Sequence, residues 1–388
     1  MSLFDRRPAL RWVAPGAALA VVVVGTQIAT RLPADAAVTL PHITAAQLLT
    51  QVESAKPQAL QGTVSVSMNL GLPSLPTSMT GGSDSAQPLS WLSGTHTAKV
   101  WYDGAAGSRV ALLGDGSETD IYAISTGVWV WNSADRSVEH IAPPVVTGNH
   151  RQHPLKSNST GTTADSQALT TPEGVASWAL QQLDATTAVT TSSNVSVAGR
   201  SAYQLVLTPK TSGTKIGSVR VAFDAATKVP LRAEVYAAGA SSPAVSVGFS
   251  SVSFTKPAAG NFDFTPPPGA KVTVQQMPAK PSANSLSSLG LTAPTVTGTG
   301  WASVATGTLP MTNPNVTEGD SGQGSPQRTS NSATSMTQLL KLLPTVSGSW
   351  GTGHLLSTSL FTAVLANDGR YAIGAVPAQT LYTALAKH

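Results

Sequence analysis

Hydrophobic and polar positions alternate along most of this chain with the period of a half-buried strand. Gly62 to Leu70 reads GTVSVSMNL, placing Val64, Val66 and Met68 on one side against serines and Asn69 on the other. From residue 95 to 142 the same pattern recurs in short pieces: THTAKVWY, SRVALLG, TDIYAIS, GVWVWNS and SVEHIA. Turns at Asp103-Gly104, Asp115-Gly116, Thr126-Gly127 and Ala134-Asp135 separate them. Spacings this short leave no room for crossovers, so they predict an antiparallel meander. A second series follows in NVSVAGRSAYQLVLTP, IGSVRVAFD, VPLRAEVYA and PAVSVGFSSVSF, and FDFTPPPGAKV (Phe262 to Val272) is expected to close the sheet.

Helical periodicity is rarer. Thr44-Ala-Ala-Gln47 forms a capping box, Ile43 and Leu48 suit a hydrophobic staple, and Leu48, Leu49, Val52 and Ala55 give one apolar face before Pro57. Thr171-Pro172-Glu173 opens a second helix with Pro at its first position, buried through Val175, Trp178, Ala179, Leu180 and Leu183. Between the first strand and the meander lies LPSLPTSMTGGSDSAQP. This loop is proline-bearing, yet apolar through Leu70, Leu72, Leu75 and Met79. Residues 278–335 are rich in Ser, Thr, Gly, Pro and Asn and are expected to form a linker. Beyond them come a short helix (MTQLLKLL), a hairpin of Gly353 to Leu365 and Arg370 to Val376 joined by Asn367-Asp368-Gly369, and a terminal helix AQTLYTALAKH. This helix-hairpin-helix extension, residues 336–388, is too small to build a core alone and is expected to dock on the main sheet or on another protein.

The N-terminus changes the compartment. Arg6, Arg7 and Arg11 precede nineteen uncharged residues from Trp12 to Thr30, and Ala34-Asp35-Ala36 offers a cleavage site. Residues 1–36 therefore form a signal peptide, cleaved on export, or an anchor in the cytoplasmic membrane through residues 12–30. Both place the remainder outside the cytoplasm.

Charged residues make up 11% of the chain, and its net charge of +4 is spread along its length without a basic cluster, which argues against nucleic acid as a partner. Cysteine is absent, which excludes disulfides, thiol chemistry and a lipidated N-terminal Cys. Catalytic motifs fail on context. Gly319-Asp320-Ser321-Gly322 is set in the linker, without the packed strands, histidine and oxyanion hole that a nucleophilic serine needs. His150 and His153, with Glu139 and His140 upstream, sit in or near a polar loop and make a poor metal site. Gly348 to Gly353 (GSWGTG) precedes a strand, so no helix N-terminus meets an anion there. Trp129 and Trp131 share one face of a strand and read as core before ligand platform. No catalytic residue, metal or cofactor is expected, and the protein reads as a non-enzyme. Strands apolar on one face, two amphipathic helices and an apolar loop can together hold an acyl chain, whose burial yields ~0.8 kcal/mol per CH₂ before the costs of binding.

The order of parts resembles a known family. Capped helix, strand, NLGLPSLP loop, meander, TPEGVASWALQQLD helix, AGRSAYQLVLTP, VRVAFDAATKVPLRAEVY and FDFTPPPGAKV together resemble actinobacterial members of the LolA-like lipoprotein-carrier superfamily, which includes the RseB (MucB) regulators. The resemblance covers about residues 40–275, and GSWGTGHLLSTSLFTAVLANDGRYAIGAV looks like a C-terminal extension of that group. It implies an α+β fold: an unclosed antiparallel β half-barrel over residues 37–277 with helices on its concave face, plus the C-terminal hairpin and short helices. It also implies an extracytoplasmic protein that binds lipid or lipoprotein acyl chains for transport or localisation in the cell envelope. The alternative is an RseB-like regulator that senses envelope state and binds a membrane anti-sigma factor. The implied partners are lipid or lipoprotein acyl chains and a membrane protein, a transporter or an anti-sigma factor. The expected cavity lining is Leu48, Leu49, Val52, Leu72, Leu75, Val175, Trp178 and Leu180.

Overall fold

The computed structural model describes residues 40–56, 58–72, 93–104, 106–114, 116–143, 186–276, 294–309, 340 and 342–387. The segment 1–36, the Thr171 helix and most of the MTQLLKLL stretch lie outside the described residues. Two compact units emerge: residues 40–210 with 216–276, and residues 211–215 with 294–387.

The larger unit is one twelve-stranded sheet. After helix α1 (Ala45–Glu53) its strands are β1 (Leu60–Asn69), β2 (Ser93–Asp103), β3 (Gly107–Leu113), β4 (Glu118–Ile124), β5 (Gly127–Asn132) and β6 (Ser137–Ala142). They continue as β7 (Thr187–Val197), β8 (Arg200–Pro209), β9 (Ile216–Asp224), β10 (Pro230–Ala237), β11 (Pro243–Ser253) and β12 (Lys271–Gln276). The spatial order is β12-β6-β5-β4-β3-β2-β1-β11-β10-β9-β8-β7. Two consecutive meanders thus join through the β1–β11 pair, and the ends β12 and β7 do not pair, leaving the sheet unclosed. Each predicted strand of the two series is present. Turn chemistry fixes them: Ala198 and Gly199 both take positive φ (52° and 73°), the geometry of the tightest hairpin turns. At Gly127, φ 121°, a Cβ would stand 2.4 Å from the Ile141 carbonyl oxygen, so a side chain there would push β5 off β6.

The alternation of β1 is realised in burial. Val64, Val66 and Met68 are nearly inaccessible and join Val100, Val247 and Phe249 in one core cluster. Farther along the sheet, Leu205 and Leu207 of β8 pair with Val221 and Val219 of β9, and all four are fully buried.

One expectation fails at FDFTPPPGAKV, which does not end the sheet. Residues Ala259–Phe262 form a 3-10 turn that buries Phe262, and Phe264 packs on Tyr122 and Trp129 with ring centroids 4.8 and 5.5 Å apart. Arg136 Nη2 donates to the Pro268 carbonyl at 2.8 Å. The chain then re-enters as β12, parallel to β6, whereas every other pair in the sheet is antiparallel. Proline bars ladder bonds only where it stands, and the segment 254–270 carries the chain from β11 to the free edge of β6, the second meander serving as the long connection that the parallel β6–β12 pair requires. The ladder places Trp101, Arg109, Tyr122, Trp129 and His140 in one row across β2–β6. Trp129 stacks on His140 at 3.6 Å and tilts against Phe264, but it and Trp131 are only half-buried, so the pair is not enclosed as the core reading expects.

The smaller unit corrects the expected linker and hairpin. Its strands are β13 (Thr295–Thr297), β14 (Val304–Thr308), β15 (Thr345–Gly348), β16 (Gly351–Ser357), β17 (Thr362–Ala366) and β18 (Arg370–Gly374), followed by helix α2 (Ala378–Leu385). They form a six-stranded sheet ordered β13-β14-β18-β17-β16-β15. Residues 295–308, expected as linker, are therefore structural, with Trp301 and Val304 buried. The predicted run from Gly353 to Leu365 is two strands, because Thr358 Oγ1 accepts from the Leu360 and Phe361 amides and turns the chain between them. Val304, Trp350, Val364, Ala372, Val376, Leu381 and Leu385 give this unit a core of its own. The strands TVT and VATGT are too short and too rich in Thr and Gly to stand out from a linker by pattern alone.

Candidate functional site

Helix α1 is set by its first turn. The Thr44 amide donates to Gln47 Oε1 at 2.8 Å and the Gln47 amide to Thr44 Oγ1 at 3.2 Å, so the capping box predicted from TAAQ is present. Thr191 Oγ1 of β7 donates to the Ile43 carbonyl at 2.7 Å, tying the helix start to the sheet. Within the helix the apolar residues divide. Leu48 is 1% exposed and belongs to the core, whereas Leu49 and Val52 stay half-buried.

Of the other expected lining residues, Leu72 is half-buried next to buried Leu70 and Met68, while Leu75, Val175, Trp178 and Leu180 lie outside the described residues. A depression of about 340 Å³ opens at Leu72, bordered by Met68, Leu70, Gly71, Gly94 and Thr95. A second, of about 420 Å³, lies between the end of α1 (Gln51, Lys56) and the β9–β10 turn (Thr227, Lys228). The two depressions have no lining residue in common, so Leu49 and Leu72 are not brought into one pocket by the described residues. Sequence reasoning favoured helix and loop leucines and passed over strand residues. The clearest omission is the pairing of Leu205 and Leu207 with Val221 and Val219, legible as alternation in AYQLVL and SVRVAF.

Polar chemistry is used to hold turns. Asp224, 1% exposed, receives Arg200 Nε at 2.5 Å, Arg200 Nη2 at 3.1 Å, and the Thr227 amide and hydroxyl at 2.8 and 2.9 Å. Burial works to raise its carboxyl, but these hydrogen bonds outweigh it and hold the group below the ordinary aspartate range. Arg109 bonds Asp120 at 2.7 Å and lies over the rings of Trp101 and Tyr122 at 4.8 and 5.0 Å. Glu118 beside it is raised by burial and by its neighbour Asp120.

The residues weighed earlier for catalysis and metal binding take other parts. His140 Nε2 bonds the Thr126 carbonyl at 2.9 Å, and Glu139 accepts from Gln275. Gly348 and Gly351 flank a β-turn between β15 and β16. The motifs Gly319-Asp320-Ser321-Gly322 and His150/His153 lie outside the described residues. Among the described residues no group of His, Asp or Glu is placed to hold a metal ion, and no helix is long and apolar enough to cross a membrane.

No protein-family model matches this chain, and no characterised protein matches it by sequence. Solved structures do. The MucA/MucB complex of Pseudomonas aeruginosa aligns with 88% of this chain and 96% of its own, at 13% identity and TM-score 0.41. A crystal structure of MucB covers 87% and 94%, at 15% identity and TM-score 0.38. A LolA-superfamily protein from Nitrosomonas europaea covers 57% and 99%, at 13% identity and TM-score 0.20.

Proposed function

We propose that this protein is a non-enzymatic, extracytoplasmic binder of lipid or lipoprotein acyl chains, acting in transport or localisation in the cell envelope. One observation carries the proposal. The large sheet is unclosed, and the helix tied to it through Thr191 buries Leu48 while leaving Leu49 and Val52 half-buried. A core helix with no other task buries its whole apolar stripe, whereas a covering helix over a ligand keeps apolar surface in reserve. An acyl chain meets no specific polar requirement, which agrees with the apolar surface of Leu49 and Val52 on the helix. In this reading the lining extends to Leu72, which borders a separate depression among the described residues, and to Leu75, Val175, Trp178 and Leu180 of the expected loop and helix. Native mass spectrometry of the gently purified protein tests this. Co-purifying lipid supports it; an apo mass, with neither uptake of added lipid nor a gain in stability on adding it, refutes it.

Regulation is the second reading, favoured by the second core-bearing unit, a module that holding an acyl chain does not require. In it the smaller unit engages a membrane protein partner such as an anti-sigma factor. Deleting the chain from residue 282 onward separates the two: lipid uptake survives, and a partner recovered by the full chain is lost.

A further inference from the structure

No strand among the described residues pairs with the outer edge of β12. Among the described residues the exposed large apolar side chains are Val272 (48%), Val274 (58%) and Leu342 (43%), so two of the three sit on this one strand. Residues 271–275 are all exposed, and the strand KVTVQQ holds no proline, no register break and a single charge, Lys271. Such an edge lacks the devices that block strand addition. The opposite edge, β7, has one: its register shifts between Ser192 and Val195.

The unpaired backbone groups can be assigned. Lys271 N–H donates to the Arg136 carbonyl at 2.9 Å. In a parallel ladder this directs the amides and carbonyls of Lys271, Thr273 and Gln275 at β6, leaving those of Val272, Val274 and Gln276 on the free edge.

We propose that this edge pairs antiparallel with the same edge of a second copy of the chain, about a two-fold axis through Thr273. The strand is self-complementary in that register. Val272 falls opposite Val274 of the second copy and exchanges both backbone hydrogen bonds with it, and the symmetric pair does the same. The four exposed valines thereby gather on one face. On the other face Lys271 falls opposite Gln275 of the second copy, whose side chain is bonded to Glu139, so a lysine approaches a carboxylate across each half of the interface. No like charges meet. An extended peptide from another protein could satisfy the backbone edge, but would not explain why the strand's own valines and its lysine–glutamate spacing fit each other.

The test exploits a chain without cysteine. In the full chain, Thr273→Cys places two thiols at a non-hydrogen-bonded pair on the axis, and a disulfide-linked dimer forms under mild oxidation. Lys271→Cys, whose thiols lie far from each other in this register, cross-links poorly, and Lys271→Cys combined with Gln275→Cys restores cross-linking. Sedimentation velocity of the cysteine-free protein shows a concentration-dependent dimer. Val274→Pro, which removes an outward amide, abolishes it, and Thr273→Lys, which sets like charges together on the axis, does so even if the proline variant folds poorly. A monomer at all concentrations, or a dimer that persists in Thr273→Lys with no preference for cross-linking at 273, overturns the proposal.

Discussion

Arg200 and Asp224 close the β8–β9–β10 region by an ion pair 2.5 Å long whose carboxylate is 1% exposed, although the arginine keeps a third of its side chain in solvent. The carboxylate also receives the Thr227 amide and hydroxyl, so it fastens β8 to the turn that leads from β9 into β10. Its removal strands several donors at once. Asp224→Ala is expected to cost about 2–3 kcal/mol, reduced from the range for fully buried pairs by the exposure of Arg200. Urea denaturation measures it.

The same pair sets an acid dependence. The Asp224 carboxyl lies below its unfolded value in the native state, so its contribution is fully present above the unfolded pKa of about 4 and is lost as pH falls through the folded value. Stability therefore falls as pH is lowered below about 4, and less steeply in Asp224→Asn. Equal slopes in the two proteins would count against the pair as the origin.

Within α1, adjacent leucines have opposite expected phenotypes. Leu48→Ala removes a buried side chain and is expected to cost about 3 kcal/mol of stability. Leu49→Asp and Val52→Asp act on half-exposed positions and are expected to reduce lipid uptake while shifting the unfolding midpoint little. Parallel lipid-binding and denaturation measurements on all three variants check the division.

The helix cap is separable from the ligand face. Thr44→Ala is expected to cost about 1 kcal/mol. Amide exchange in residues 45–48 should quicken, with the β1–β11 amides unchanged.

In the smaller unit Arg370 joins three segments. Its Nη1 donates to the Leu385 carbonyl at 3.0 Å, Nη2 to the Trp350 carbonyl at 2.7 Å, and Nε to Asp368 Oδ2 at 2.8 Å. Arg370→Ala is expected to cost about 2 kcal/mol and to loosen the end of α2, read as faster amide exchange there. Arg370→Lys should recover only part of the loss, because one ammonium cannot replace the planar fork.

Local patterns in this sequence determined local structure. Alternation in GTVSVSMNL gave a strand with the face it has, the apolar runs AYQLVL and SVRVAF gave strands, TAAQ gave a capping box, and Asn367-Asp368-Gly369 gave a hairpin. Each depends on neighbours a few residues apart, where backbone sterics and period settle the outcome. What depended on distant partners was decided by tertiary structure. Lys271–Gln276 became a parallel strand because β6 offered an edge after the proline segment had crossed the sheet. Thr295–Thr297 and Val304–Thr308 became strands because β18 stood ready to pair with β14, more than sixty residues later. Leu48 and Leu49 are chemically identical, and only the position of β7 and β8 beneath the helix makes one of them core and leaves the other partly open to a ligand.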